Sequence, residues 1–134
     1  MMKMVWPDIW RRFMSNQESV NRALKRLSYS KFRSSFHLSK KEKDYVKVKG
    51  MDVIEAHARD FIAKRLAPAH IENDGKQTPM RGHPVFVAQH ACGCCCRGCL
   101  KKWYHVPDNR PLTDKEQASI VMILMGWIRQ EMGE

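Results

Sequence analysis

All five cysteines of this 134-residue chain lie within eight residues, from Cys92 to Cys99. Thiols this close together cannot cross-link distant parts of a fold, and an odd number cannot all pair with one another. The arrangement therefore excludes a secreted scaffold held together by disulfides and indicates one local site. Because free thiols persist in a reducing compartment, and because the first residues lack the apolar stretch of a secretory signal, we expect a cytoplasmic protein.

The spacing of these cysteines is typical of a metal knuckle. Cys96 and Cys99 are separated by two residues, so their thiolates can converge on one ion, and Cys95 could replace either of them. His90 precedes Cys96 by six residues across a glycine, so that a turn can bring it to the same ion. This segment is therefore the candidate metal site of the chain.

Two further histidines flank the segment at less convenient spacings. His83 precedes His90 by seven residues, which is about 10 Å along a helix and the opposite face of a strand. It reaches the same ion only if the backbone between them bends, and His105, six residues beyond Cys99, needs a similar irregularity. Zinc suits mixed nitrogen and sulfur ligands in a reducing compartment, so we predict one zinc ion per chain.

The same segment lacks the groups of a catalytic zinc site. Catalytic zinc keeps one position open for water and usually has a carboxylate nearby, but residues 81–107 contain no Asp or Glu. A closed structural site is therefore favoured, and no catalytic residue is assigned. Two alternatives stay open. One is a metal-dependent hydrolase or nuclease that uses His83 or His90 with residues 68–82 as a lid. The other is a thiol redox sensor centred on Cys95 and Cys96, with a cysteine whose pKa is lowered by Arg97 and nearby histidines.

The positive charge of the chain lies almost entirely in its first 50 residues. They hold 13 Lys and Arg against 4 Asp and Glu, so +9 of the net charge of +10 belongs to them. Such a concentration attracts polyanions, and aromatic side chains among the cations can stack on bases, although a merely solvated helix face shows the same pattern. We predict binding to nucleic acid or another polyanion, with an acidic protein surface as the alternative partner. The predicted contacts are Arg11, Arg12, Arg22, Lys25, Arg26, Lys31, Arg33, Lys40 and Lys41.

Apolar residues recur at helical spacing through most of the chain, which predicts a small, mainly α-helical domain. Ser39 with Glu42, and Thr113 with Glu116, match the capping box that starts a helix. No apolar run approaches the roughly 18 residues of a membrane span, so no membrane partner is expected. The predicted helices run from Asp8 to about Leu27, from Ser39 to Gly50, from Asp52 to Pro68, through Leu100 and Trp103 to Pro107, and onward from Thr113.

Two stretches between these helices are less regular. Residues 68–82 contain several Pro and Gly and no periodicity, which predicts a long loop. Residues 84–88 fit a short strand or hairpin, or a helical turn, and periodicity does not decide between them. We predict a basic helical N-terminal extension over residues 1–31, and one helical domain over residues 32–134 with its Cys/His cluster at 83–105.

Five segments carry a resemblance to a known family: Phe32–Ser39, the helix end at Lys49-Gly50, Arg65–Pro68, Asn73–Phe86 and Cys95–Leu100. They resemble an uncharacterised bacterial family, the domain of unknown function 4186, over about residues 32–130. The resemblance brings no assigned activity. It implies a Cys/His cluster formed by His83, His90, Cys95, Cys96 and Cys99.

The chain departs from the family pattern at two places. Cys92 and Cys94 stand where the pattern has threonine, so these thiols are expected to lie outside the shared cluster. The pattern also has histidine directly after tryptophan, whereas Tyr104 separates Trp103 from His105 here. His105 is therefore not included among the predicted ligands.

Overall fold

The computed structural model describes residues 17–69 and 75–134. The predicted helix start at Asp8, Arg11 and Arg12, and loop residues 70–74 lie outside these ranges. Within them the chain is mainly helical, as predicted, has no strand, and contains no helix long and apolar enough to cross a membrane. The helices are α1 (Gln17–Ser28), α2 (Lys40–Lys49), α3 (Met51–Phe61), α4 (Pro84–Ala91), α5 (Arg97–Tyr104) and α6 (Asp114–Glu131).

The long helix α6 is the centre of the fold, and α1, α3 and α4 pack against it. Ile120, Ile123 and Leu124 of α6 are completely buried, and burying each such side chain stabilises the fold by about 1.5–3 kcal/mol. Gly126 allows α1 to approach closely, because a Cβ atom there would lie 2.7 Å from Cγ1 of Val20. The core is therefore assembled around one helix near the end of the chain.

Helix α1 connects the predicted N-terminal extension to this core. Its Val20, Leu24 and Leu27 are buried in the same hydrophobic cluster as the residues of α6. The exposed face of α1 carries the charged residues, as expected for an amphipathic helix on a protein surface. The division between residues 1–31 and 32–134 stays a prediction, since the structure describes only residues 17–31 of the extension.

Both predicted capping boxes form. The hydroxyl of Ser39 accepts a hydrogen bond from the Glu42 N–H, and the Glu42 carboxylate accepts one from the Ser39 N–H at 2.8 Å. Thr113 and Glu116 make the same pair of bonds at the start of α6. Each box satisfies two N–H groups that a helix start otherwise leaves without partners.

Helix α3 begins at Met51, one residue before the predicted start at Asp52. Gly50, with φ of 88°, precedes its first residue, and no side chain caps the first turn. Glu55 pairs instead with Arg59 at 2.7 Å. Only glycine adopts this backbone conformation without strain, so Gly50 permits α2 and α3 to follow one another directly. At its other end α3 widens into a π turn over Ile62–Leu66.

Residues 84–88 are helical, so the strand alternative is wrong. Nδ1 of His83 accepts a hydrogen bond from the Val85 N–H at 3.0 Å and caps the start of α4. Pro84 occupies the first helical position, where its missing N–H leaves no hydrogen bond unmade. The cap and the proline together start a helix at this point.

A buried arginine connects α5 to the end of α3. Arg97 is only 2% exposed, and its guanidinium donates to backbone carbonyls at distances from 2.6 to 3.3 Å. Three of these carbonyls lie at the end of the π turn that follows α3, where a positive charge is favourable. The acceptors among the described residues are the carbonyls of Leu66, Ala67, Pro68, Pro107 and Arg110.

Candidate metal centre

Three cysteines converge at the start of α5. The Sγ atoms of Cys95, Cys96 and Cys99 all lie within 4.8 Å of one another, and those of Cys95 and Cys99 are 3.4 Å apart. Tetrahedral zinc with Zn–S bonds of about 2.3 Å separates two sulfur ligands by about 3.8 Å. The cluster could therefore hold a metal ion.

The beginning of the helix positions these thiols. Cys96 is the N-cap of α5, and its Sγ accepts a hydrogen bond from the Cys99 N–H at 3.4 Å. The hydroxyl of Thr78, in the long loop, donates to the carbonyl of Cys95 at 2.7 Å and fixes the residue before the cap. The positive end of the helix dipole lies at these sulfurs and favours negative charge there.

An arginine from a distant part of the chain contacts the cluster. Nη2 of Arg33 lies 3.2 Å from Sγ of Cys99, and Nη1 lies 3.8 Å from Sγ of Cys95. Nη1 also donates to the carbonyl of His90 at 2.7 Å. Arg33 is 8% exposed, so the structure places it at the cysteines rather than on the surface predicted to contact a nucleic acid.

The pKa values of the three thiols diverge: that of Cys99 is lowered, whereas those of Cys95 and Cys96 are raised. Hydrogen bonds from Cys95 and then from Cys96 hold the pKa of Cys99 well below its usual value, and Arg33 lowers it further. The pKa of Cys95 is raised, because its hydrogen bonds to Cys96 and Cys99 favour the protonated form. A thiolate at Cys99 is the form of cysteine that binds a metal ion.

Three other residues of the Cys/His segment lie outside the cluster. Cys92 and Cys94 are completely buried in the hydrophobic core, and burial raises the pKa of each thiol, so both stay protonated. His105 is exposed at the end of α5, where it has a φ of 58°. Cys92, Cys94 and His105, where the chain was expected to depart from the family pattern, therefore lie outside the group formed by the other three cysteines.

His90 is connected to the cluster through Arg33, but its ring nitrogens are not among the atoms that lie within 4.8 Å of one another. Its Nε2 is 3.1 Å from the carbonyl of Thr78, and its ring stacks on Phe36 at 5.7 Å. Because a carbonyl only accepts hydrogen bonds, Nε2 carries the proton and Nδ1 offers its lone pair. Metal-binding histidines have this arrangement, with the second nitrogen donating to a carbonyl.

A family model described as "Domain of unknown function (DUF4186)" matches residues 21–129, which include the three cysteines, both predicted histidine ligands and Arg33. The chain belongs to this family. The resemblance inferred from sequence motifs is thus confirmed, and the match begins inside α1, earlier than residue 32. No solved structure matches the chain at a significant level.

The second predicted histidine ligand of this DUF4186 chain lies at the other end of α4. His83 caps the start of that helix, and its Nε2 lies 2.9 Å from Nδ1 of His57. Both of its ring nitrogens are thus used in hydrogen bonds within its own surroundings, and the structure does not bring it to the three cysteines. The rings around it are those of Tyr45, Phe61 and Phe86.

The burial of the His83 ring predicts that the stability of the protein depends on pH. Burial, together with a smaller effect of the neighbouring His57, lowers the pKa of His83 to about 4. An unfolded histidine has a pKa of about 6.5, so the unfolded chain binds this proton first. The contribution of neutral His83 is therefore complete above about pH 6.5 and is lost as the pH falls towards 4. We expect a loss of roughly 2 kcal/mol in the free energy of unfolding between pH 7 and 4.5.

Urea unfolding at several pH values measures this effect. His83→Asn keeps an acceptor for the helix cap but does not titrate, so its free energy of unfolding should fall less between pH 7 and 4.5. His105→Asn, at an exposed histidine with a left-handed backbone that asparagine tolerates, should behave like the unmodified protein. An unchanged pH dependence in His83→Asn would contradict the assignment.

The predicted nucleic-acid contacts in the described part of the chain are exposed, apart from Arg33. Arg22, Lys25 and Arg26 follow one another at helical spacing on the outer face of α1. The other exposed members of the set are Lys31, Lys40 and Lys41.

Helix α5 adds cations that the sequence did not associate with α1. Nη1 of Arg26 donates to the carbonyl of Trp103 at 3.0 Å, and its guanidinium lies 5.4 Å from the centre of the Trp103 ring. This contact joins residues 77 positions apart, and it brings α1 to the helix that carries the exposed Lys101 and Lys102. Only the folded chain brings Arg26 to this helix, on which Lys101 is paired with Asp108 at 3.6 Å.

Proposed function

We propose that the protein is a small zinc protein in which Cys95, Cys96 and Cys99 hold one ion for a structural purpose. The observation that carries this proposal is the meeting of three Sγ atoms within 4.8 Å at a helix start. Sulfur ligands suit zinc, which is redox-inert and takes four ligands without a geometric preference of its own. The thiols are free cysteines, which fits a reducing compartment such as the cytoplasm.

Charge balance supports an occupied site. One divalent ion with three thiolates leaves a single net negative charge, which is costly to bury without a counter-charge. The guanidinium of Arg33 lies 3.2 Å from Sγ of Cys99 and supplies that charge. Hydrogen bonds from a neighbouring group to a metal-bound sulfur also tune the affinity of such sites.

His90 is the fourth ligand in this proposal. Its Nε2 is committed to the carbonyl of Thr78, which leaves Nδ1 to a metal ion. Its own carbonyl shares Nη1 of Arg33 with Cys95, so the histidine and the cysteines are tied together by one side chain. A fourth protein ligand closes the site, which is characteristic of structural rather than catalytic zinc.

Elemental analysis combined with native mass spectrometry tests the zinc site. We expect one zinc ion per chain in protein purified under reducing conditions, and a loss of most of it in Cys99→Ser, because two thiolates and one histidine bind zinc more weakly. Cys94→Ala, which changes a buried cysteine outside the cluster, should keep its zinc.

Two results would overturn the proposal. One is a folded protein that takes up no zinc from a stoichiometric solution. The other is iron accompanied by visible absorbance near about 400 nm, which would indicate an iron–sulfur cluster held by the same thiolates.

We further propose that the exposed cations of α1 and α2 bind nucleic acid. This is supported by the net charge of +9 in the first 50 residues and by the exposure of Arg22, Lys25 and Arg26 opposite the buried face of α1. Neutralised phosphates release counterions, so affinity for a labelled duplex should fall as salt rises. If metal-loaded protein binds no nucleic acid at about 50 mM salt, where such contacts are strong, the proposal fails.

A further inference from the structure

We propose that Lys25, Arg26, Tyr29, Lys31 and Phe32 form an aromatic–basic turn that stacks on the bases of an unpaired nucleic acid strand. The inference rests on the proposed binding of nucleic acid, and it specifies the form of the partner and the contact residues. It begins in the last turn of α1, which holds Lys25 and Arg26, and leads into the short helical turn Arg33–Ser35.

The two aromatic side chains of the turn are unusually exposed. Tyr29 is 78% exposed and Phe32 is 57% exposed. By contrast, Phe36 is buried against His90, and Tyr45 packs on His83. Of the four aromatic residues in the basic part of the sequence that the structure describes, only the two in the turn can offer a ring face to a ligand.

Local contacts hold Phe32 in place although its ring is exposed. Its ring meets the edge of the Phe36 ring at 5.2 Å, and the guanidinium of Arg33 lies 5.0 Å from its centre. Backbone hydrogen bonds from Ser34 to Ser30 and from Ser35 to Phe32 stabilise the turn. A ring that is already ordered loses little conformational entropy when a base stacks on it.

The cysteine cluster is connected to the same turn through Arg33. Arg33, the residue after Phe32, reaches inward to Cys95, Cys99 and the carbonyl of His90. The position of the exposed ring is therefore set by the side chain that contacts the proposed zinc site. The proposed zinc site would thus hold the aromatic–basic turn in the conformation that binds the strand.

The charges around the rings favour an unpaired strand. Lys25, Arg26 and Lys31 are exposed and flank the aromatic residues in sequence. Cations that neutralise phosphates, together with aromatic rings that stack on bases, are the combination used by proteins that bind single strands. In a duplex the base faces are already stacked on one another, so Tyr29 and Phe32 gain nothing from it.

Fluorescence anisotropy with two labelled probes tests the inference on the full-length, metal-loaded protein. The probes are a 20-nucleotide oligothymidylate and a 20-base-pair duplex. We expect Tyr29→Ala and Phe32→Ala each to weaken binding of the single strand about tenfold and to leave duplex binding within about twofold. Tyr29→Phe retains a stacking ring and should restore most of the affinity.

Two further variants separate stacking from charge. Lys25→Ala with Lys31→Ala should weaken binding of both probes and reduce the salt dependence, because these residues contact phosphates. Val48→Ala removes an exposed apolar side chain of α2, outside the turn, and should change neither affinity.

The outcomes distinguish this inference from the proposal on which it rests. If the unmodified protein binds neither probe, the proposed nucleic-acid binding itself fails. If it binds both probes equally and both aromatic variants bind like the unmodified protein, binding is purely electrostatic and the inference is overturned. The inference is also overturned if heparin, a polyanion without bases, competes as well against the single strand as unlabelled oligothymidylate does.

Discussion

Replacing Arg97 with methionine is expected to lower the free energy of unfolding by about 4 kcal/mol. The guanidinium donates to five backbone carbonyls, and hydrogen bonds of this charged kind contribute about 1.5–3 kcal/mol each, although not additively. Methionine fills part of the volume but offers no donor, so the carbonyls at the end of α3 lose their partner. Urea denaturation followed by circular dichroism measures the difference.

Lys102→Met is the matched control for this variant. It removes one positive charge and introduces the same side chain on the same helix, but at an exposed position. Its expected effect is below about 0.5 kcal/mol, as for most surface substitutions. A loss of less than about 1 kcal/mol in Arg97→Met would show that the buried guanidinium contributes little.

Removing the proposed zinc ion is expected to lower the melting temperature by about 15 °C, which corresponds to about 5 kcal/mol for a domain of this size. Structural zinc contributes about 10–16 kcal/mol in isolated zinc-finger peptides, which have almost no other core. Here α1, α3, α4 and α6 form a core of their own, so the fold should survive the loss of the ion in a weakened form. Thermal unfolding with and without a chelator measures the shift.

Two variants show whether the change in melting temperature on chelation comes from zinc at the cysteine cluster. Cys99→Ser should melt at the same temperature with and without the chelator, because it lacks a thiolate of the cluster. Cys94→Ala keeps the cluster and should respond as the unmodified protein does. If chelation removes zinc from the unmodified protein without changing its melting temperature, the ion is not structural.

The helices could be predicted from sequence where their determinants are local. The capping boxes at Ser39 and Thr113 use residues three positions apart, and both form as predicted. Cys96 and Cys99 are equally local, since one helix start brings both sulfurs together. Residues 84–88 could not be decided in this way, because a short apolar run fits a buried strand as well as a helix.

The surroundings of the cluster could not be predicted, because they come from distant parts of the chain. Arg33 lies 66 positions before Cys99, and nothing in a basic stretch of sequence distinguishes one inward-pointing arginine from its exposed neighbours. The redox alternative placed Arg97 at the thiols because it is adjacent in sequence. Its side chain points instead to the end of α3, which only the folded chain brings close.

The histidines illustrate the same limit of sequence patterns. His83 and His90 are both close enough in sequence to be ligands, but they lie at opposite ends of α4, so that seven residues of helix, about 10 Å of rise, separate their backbones. The proline after His83 was a signal for a helix start, and a histidine before it can act as a cap. The hydrogen bond between His83 and His57, which is 26 positions away, could not be predicted from the spacing of residues around either histidine.

The position of Arg97 between Cys96 and Cys99 links two segments that are remote in sequence. The segment that gathers the thiols also carries the donor for the carbonyl of Leu66, which lies 31 positions earlier at the last residue of the π turn Ile62–Leu66. Segments that open as one unit lose their hydrogen-exchange protection together. We therefore expect the amide protons of the π turn to exchange faster in any variant that opens the cysteine segment.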